Sequence, residues 1–294
     1  MKKVKAWLQA SRLASQSYIF FPLLLGQSCW YAQQKTLDIW ILVLVHAYGL
    51  CVQLYIVYAN DYADTATDRI NSTYNLFSGG SRVLVDGLLI PRELLAGIMI
   101  TVLATILVGA MLWHFAARPF SLLFIAVSLG LLWLYSYKPV QLSYRGGGEL
   151  LQMLGVGGVL PLFGYYAQAG TVTGFPLMFL AFILPAQLSC ALATALPDQP
   201  SDRQSGKRTC AVLFGAAATK VIISALNIVS IATCLFVFPR APLRCVMPSL
   251  VCNAFMLMLI PHSPPGSRRL NLFVTCAVAS TVLLTAMCAV ALLL

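Results

Sequence analysis

From Tyr58 to Asn71 the chain sets carboxylates at Asp61, Asp64 and Asp68, with Asn60 beside the first. Intervals of three and four residues place all three acids on one face of a helix. Neighbours on such a face lie about 5–6 Å apart at Cβ. Two full charges at that range repel by about 3 kcal/mol at an effective dielectric of about 20. A triplet of this kind needs a cation or bound protons. Hard oxygen donors suit Mg²⁺, which takes one or two carboxylates and completes its shell with water and phosphate oxygens. A solvated acidic loop would account for one aspartate, but poorly for three in register.

A second acidic stretch begins at Asp198 and continues to Asp202, four residues on. Pro200 argues against an ordinary helix running straight through the pair, so a helix is expected to begin there. Arg203, Lys207 and Arg208 follow at once. The order apolar run, spaced aspartates, basic residues therefore occurs twice, with Asp61 and Asp198 137 residues apart. This spacing implies a pseudo-repeat of two four-helix halves. Between the motifs, Ser78-Gly79-Gly80-Ser81-Arg82 offers backbone N–H groups and a guanidinium to an anion. Tyr137, Lys138, Arg145 and Glu149 cluster after a later apolar run. An aromatic belt explains the tyrosine alone, while the charges join the acidic face.

The elements that position these residues must cross a membrane. Of 294 residues 60% are hydrophobic and 10% charged, and mean hydropathy is +0.83. Soluble domains carry about 25% charged residues. Hydrocarbon about 30 Å thick requires about 20 apolar residues per helix. Nine runs qualify: 13–31, 40–60, 94–115, 119–137, 150–168, 175–196, 211–238, 242–261 and 270–293. The expected fold is an all-α membrane protein, a single domain over 1–294 with nine transmembrane helices and a cytoplasmic N-terminus. That orientation puts fifteen of the nineteen Lys and Arg inside, leaving Lys35, Arg118, Arg240 and Arg244 outside. Eight of the nine acids, all but Asp38, fall on the same inner face.

Topology and an anionic substrate account for the net charge of +10, so no nucleic acid is expected. The basic start and the stretch Leu25 to Cys29 resemble a signal peptide, but the spans that follow mark the first run as an uncleaved helix. Nine cysteines show no C-x-x-C pair and read as small buried hydrophobes.

Two carboxylate sets can hold two or more Mg²⁺ ions, and flanking cations can take the remaining charge of a diphosphate. Such a clamp stabilises a departing diphosphate, which ionisation of an allylic C–O bond requires. The membrane setting makes the rest of the substrate a lipid. A cation-coupled transporter also uses membrane acids, but near the bilayer midplane, whereas these lie at helix ends.

Asn60-Asp61-x-x-Asp64-x-x-x-Asp68 and Asp198-x-x-x-Asp202 with Gly206-Lys207-Arg208-Thr209 resemble the two motifs of the UbiA superfamily of intramembrane prenyltransferases. The resemblance spans nearly the whole chain. It implies a nine-helix bundle in which Asp61, Asp64, Asp68, Asp198 and Asp202 bind Mg²⁺ with Asn60 in support. Arg82, Tyr137, Lys138, Arg145 and Lys207 are then candidates to grip a polyprenyl diphosphate or an aromatic acceptor. Glu149 or a second-motif aspartate is a candidate general base. Ser78 to Leu84 and Leu142 to Glu149 look most like the branch that prenylates 1,4-dihydroxy-2-naphthoate in menaquinone synthesis. Thr194-Ala195-Leu196 departs from that pattern, standing where an Asn-containing segment is usual. Alternative acceptors are a 4-hydroxybenzoate-like aromatic or a glycerol phosphate. The resemblance also implies a bacterial inner membrane, with the site facing the cytoplasm.

Overall fold

A computed structural model describes residues 2–75, 78–238 and 242–294. Arg240, counted above toward orientation, lies outside them. Among the described residues the chain is helical, without strands, apart from an isolated bridge between Asn75 and Ser78. In chain order the α-helices are α1 Lys2–Ala10, α2 Ser17–Gln34, α3 Ile39–Ala63, α4 Thr65–Ile70, α5 Pro91–Ala116, α6 Ser121–Ser136, α7 Leu142–Arg145 and α8 Gly148–Leu154. There follow α9 Leu160–Ala169, α10 Leu180–Ala195, α11 Gln199–Ser205, α12 Cys210–Phe214, α13 Ala216–Val237, α14 Pro242–Leu259 and α15 Arg268–Leu293.

All nine apolar runs fall on helices. Among the described residues, six segments are long and apolar enough to cross a membrane: α3, α5, Gly148–Ala169, Leu177–Ser205, α13 and α15. Ser121–Ser136 and Leu243–Leu259 are apolar but shorter, and α2 carries Pro22 within its 18 residues. The 211–238 run is not one helix. Gly215, at φ +85°, separates α12 from α13.

The chain divides into two compact units. The first comprises residues 1–70, 80–141 and 159–175. Within it α3 packs along α5, and α2 along α9. Small residues bring the second pair together: a Cβ on Gly26 would meet the Pro161 carbonyl oxygen, and one on Gly164 the Leu23 carbonyl oxygen. Backbone-to-backbone approach of this kind is how membrane helices gain contact without a hydrophobic drive between them. At one end Arg118 donates to the carbonyls of Ala116 (2.7 Å), Ala167 (2.6 Å) and Gln168 (2.9 Å). It thereby satisfies carbonyls that the helix ends leave open. Asp38 caps α3 by accepting from the Ile41 N–H at 3.0 Å.

The second unit comprises residues 71–79, 142–158 and 176–294. Here α10, α13, α14 and α15 pack side by side, with α8 against α10. Small polar side chains tie these helices together through each other's carbonyls. Ser230 Oγ donates to Phe182 O at 2.6 Å, Ser249 Oγ to Ser280 O at 2.8 Å and Thr281 Oγ1 to Ala186 O at 2.9 Å. Lys220 is buried in α13, and its ammonium donates to Ile260 O (2.8 Å) and Ser263 Oγ (2.9 Å) in the turn that follows α14.

Candidate active site

The first motif lies at the end of α3, where the helix stops instead of carrying all three acids. Asp64 takes φ −93°, ψ 7°, and Asp68 belongs to the separate helix α4. The expected single helical face is thus split after Asp64. Thr65 marks the break, its hydroxyl donating back to Asp61 O at 2.8 Å. All three carboxylates are buried nonetheless. Asp61 accepts from the Arg12 guanidinium and from the Ser81 hydroxyl, and the Ser81 N–H lies 3.2 Å from Oδ1. Asn60 Nδ2 donates to Asp64 Oδ2 at 2.9 Å, which gives Asn60 its supporting place.

Gly80 backs directly onto this group. At φ +68°, a conformation that glycine adopts at little cost, its Cα faces the Asp68 carboxylate, which an added Cβ would overlap. The same Cβ would come 3.2 Å from Asp61 Oδ1. Arg82 also takes positive φ, +62°, and donates to Asp68 O at 2.9 Å, with Asp86 at 3.5 Å. It therefore braces the motif. Tyr137 donates to Ala59 O at 2.8 Å, beside Asn60. Lys138 is exposed.

In the second unit, Asp198 immediately precedes α11, which runs Gln199–Ser205 with Pro200 in its first turn. Asn71 Nδ2 donates to Asp198 Oδ1 at 2.6 Å and the Gly79 N–H to Oδ2 at 3.1 Å. Thr73 holds the same stretch in place by donating to Pro197 O at 2.7 Å. The stretch that follows α4 is thus anchored on the second motif. Asp202 and Lys207 are buried 4.0 Å apart. Lys207 also lies over the Tyr144 ring at 5.8 Å.

Glu149 is buried, and its Oε1 accepts the Cys210 N–H at 2.8 Å. Ser143 O accepts the Arg208 N–H at 3.1 Å. The 142–149 segment thus fixes residues 207–210 from both ends, and Glu149 is placed to hold a backbone. Burial, with the nearby Glu149 charge adding to it, pushes the Cys210 thiol up, so this cysteine stays protonated at neutral pH. Arg145 is exposed.

Sequence reasoning missed Arg12 and Asn71, and it named Ser81 only for an anion, not as the partner of Asp61. Arg12 was legible only as one of several basic residues near the start, and its φ of +41° that turns it toward Asp61 has no sequence signal. Among the described residues no three His, Cys, Asp or Glu side chains group tightly enough to hold a metal together. The donors are hard carboxylate oxygens, offered at most in pairs, which fits the one or two carboxylates that Mg²⁺ takes beside phosphate and water.

Apolar helices of spanning length, with buried carboxylates at their ends, define an integral membrane protein of the all-α class. A profile of the UbiA prenyltransferase family matches residues 19–263; the chain belongs to that family. A 1,4-dihydroxy-2-naphthoate octaprenyltransferase of Mycobacterium tuberculosis is 30% identical over 193 residues, 64% of this chain and 62% of that protein. The chain thus spans a little under two thirds of that relative's length. A protein of the same name from Haemophilus influenzae is 28% identical over 237 residues, covering 75% of this chain and 72% of its own. A UbiA homolog from Archaeoglobus fulgidus, solved bound to GPP and Mg²⁺, superposes with a TM-score of 0.68 at 16% identity, over 98% of this chain and 99% of that one. At that identity the likeness is one of fold.

Proposed function

We propose that residues 1–294 act as one prenyltransferase domain that moves a polyprenyl group from its diphosphate to an aromatic acceptor, 1,4-dihydroxy-2-naphthoate. The observation that carries this reading is that Asp61, Asp64, Asp68 and Asp202 are buried, Asp198 is half-buried, and each motif has a cation beside it: Arg12 at Asp61 and Lys207 at Asp202. A buried carboxylate needs compensation, and these cations supply part of it. Their N–H groups also suit phosphate oxygens. Asp61, Asp64, Asp68, Asp198 and Asp202 are the residues that would hold Mg²⁺, with Asn60 orienting Asp64. The metal, when bound, neutralises charge on the departing diphosphate.

The chain's own residues do the rest. Gly79, Gly80 and Ser81 fix the carboxylates through backbone contacts. Glu149 and Ser143 hold the segment that carries Lys207. Arg82, Tyr137, Lys138 and Arg145 complete the set assigned to the diphosphate or the acceptor. Apolar helices receive the lipid tail and keep water from the allylic cation. The site faces the cytoplasm in a bacterial inner membrane, in line with the distribution of Lys and Arg.

The acceptor is supported by the names of the curated relatives, which favour a naphthoate over a glycerol phosphate or a 4-hydroxybenzoate. The test is a panel assay on purified protein with prenyl diphosphates of several lengths and all three acceptor types, reading prenylated product and released diphosphate. Mg²⁺-dependent product with the naphthoate is expected. Product only with another acceptor would replace the naphthoate assignment. No diphosphate release with any of them would favour the transporter reading.

A further inference from the structure

Nine cysteines are present, and all are free thiols. Two of them meet inside the second unit. Cys234 on α13 and Cys288 on α15 bring their sulfurs to 3.4 Å, and both are fully buried. Neither the family motifs nor the proposed transfer uses them. Cys234 lies 18 residues along α13 from Ala216, about 27 Å at 1.5 Å per residue. The pair is therefore a helix length away from the end of α13 that follows the second motif. Cys288 is near the end of α15, five residues before Leu293.

We infer that Cys234 and Cys288 are a modification site: oxidation by a small uncharged hydroperoxide joins them in a disulfide that pins α13 to α15. A sulfur–sulfur bond is about 2.05 Å long, so closure from 3.4 Å asks for a shift of somewhat over 1 Å, within reach of side-chain rotation. The chemistry balances in two steps. One thiol attacks the peroxide oxygen, the O–O bond breaks, the thiol proton leaves with the alcohol or water formed, and a sulfenic acid remains. The second thiol attacks that sulfur, the S–S bond forms, and the sulfenic hydroxyl departs as water with the second thiol's proton. The two thiols are oxidised by two electrons and the peroxide is reduced by two.

Burial decides which oxidants can act. Full enclosure of both sulfurs excludes charged or bulky reagents, so the oxidant named here is a small neutral peroxide. Under the orientation proposed above, this end of α13 is the extracytoplasmic one, the side on which disulfides persist. The bond would close a loop containing all of α14 and most of α15.

The full-length protein in detergent micelles, exposed to hydrogen peroxide, tests this. After denaturation, free thiols are alkylated with N-ethylmaleimide and the digest is mapped by mass spectrometry without reductant. The expected result is seven alkylated cysteines and one linked peptide pair containing Cys234 and Cys288, both restored to full labelling by dithiothreitol. Cys51→Ser, in the other unit, is expected to leave the linked pair intact, whereas Cys288→Ser removes it. Nine labels after oxidation, a linkage joining Cys245 to either partner, or sulfinic acid on one sulfur without a link would each overturn the inference. The wild-type map decides the matter even where Cys288→Ser fails to fold.

Discussion

Asn71 donates its amide to Asp198 at 2.6 Å across 127 residues of sequence. The residue closing the first acidic stretch thus secures the opening carboxylate of the second. Asn71→Ala leaves the half-buried Asp198 with the Gly79 N–H and no side-chain amide. A hydrogen bond to a charged group contributes about 1.5–3 kcal/mol, so turnover is expected to fall by about 10- to 100-fold. Measuring diphosphate release against Mg²⁺ concentration checks this, and an unchanged Mg²⁺ dependence would remove Asp198 from the metal site.

Asp61→Ala and Asp198→Ala are expected to abolish turnover while the protein remains folded in the membrane. EDTA should do the same to the wild type, and added Mg²⁺ should restore it. Full activity in either variant would withdraw the metal assignment. Circular dichroism of the purified variants separates loss of chemistry from loss of fold.

Gly80→Ala places a methyl group on the Asp68 carboxylate at a positive φ. The left-handed backbone alone costs about 1–2 kcal/mol, and the displaced carboxylate should weaken Mg²⁺-dependent activity further. Gly158→Ala, where nothing lies within 4 Å of the new Cβ, is the matched control and should leave activity unchanged. Equal behaviour of the two variants would deny the close packing of Gly80 on Asp68.

Glu149 separates two roles by substitution. If its work is to accept the Cys210 N–H, Glu149→Gln keeps an acceptor oxygen and retains activity within about tenfold, an interaction difference of about 1.4 kcal/mol. Glu149→Ala should lose more. A glutamine variant as inactive as the alanine one would restore the carboxylate as a general base.

Gly164→Ala drives a methyl group into the Leu23 carbonyl and forces α2 from α9. Overpacking of this kind costs about 1–3 kcal/mol. The thermal midpoint in detergent should drop, while the Mg²⁺ dependence of the remaining folded protein stays put. An unshifted midpoint would mean that the two helices do not touch there.

Much of this protein was legible in its sequence because membranes and metals impose short-range rules. Hydrocarbon demands unbroken apolar runs, so helices could be placed by length, and carboxylate spacing marked both motifs, with the proline at 200 announcing where α11 begins. What periodicity could not give was the break after Asp64, since three aspartates in helical register read the same whether the helix continues or stops. Nor did sequence tell bracing residues from open ones. Arg82, read as an anion grip, also ties down the Asp68 backbone. Glu149, read as a candidate base, also accepts the Cys210 N–H. Arg12 and Asn71, unremarked in their own surroundings, became partners of Asp61 and Asp198 only when distant segments were brought together. A hydrogen bond depends on where two groups lie in space, and for residues 49 or 127 positions apart only the tertiary fold sets that.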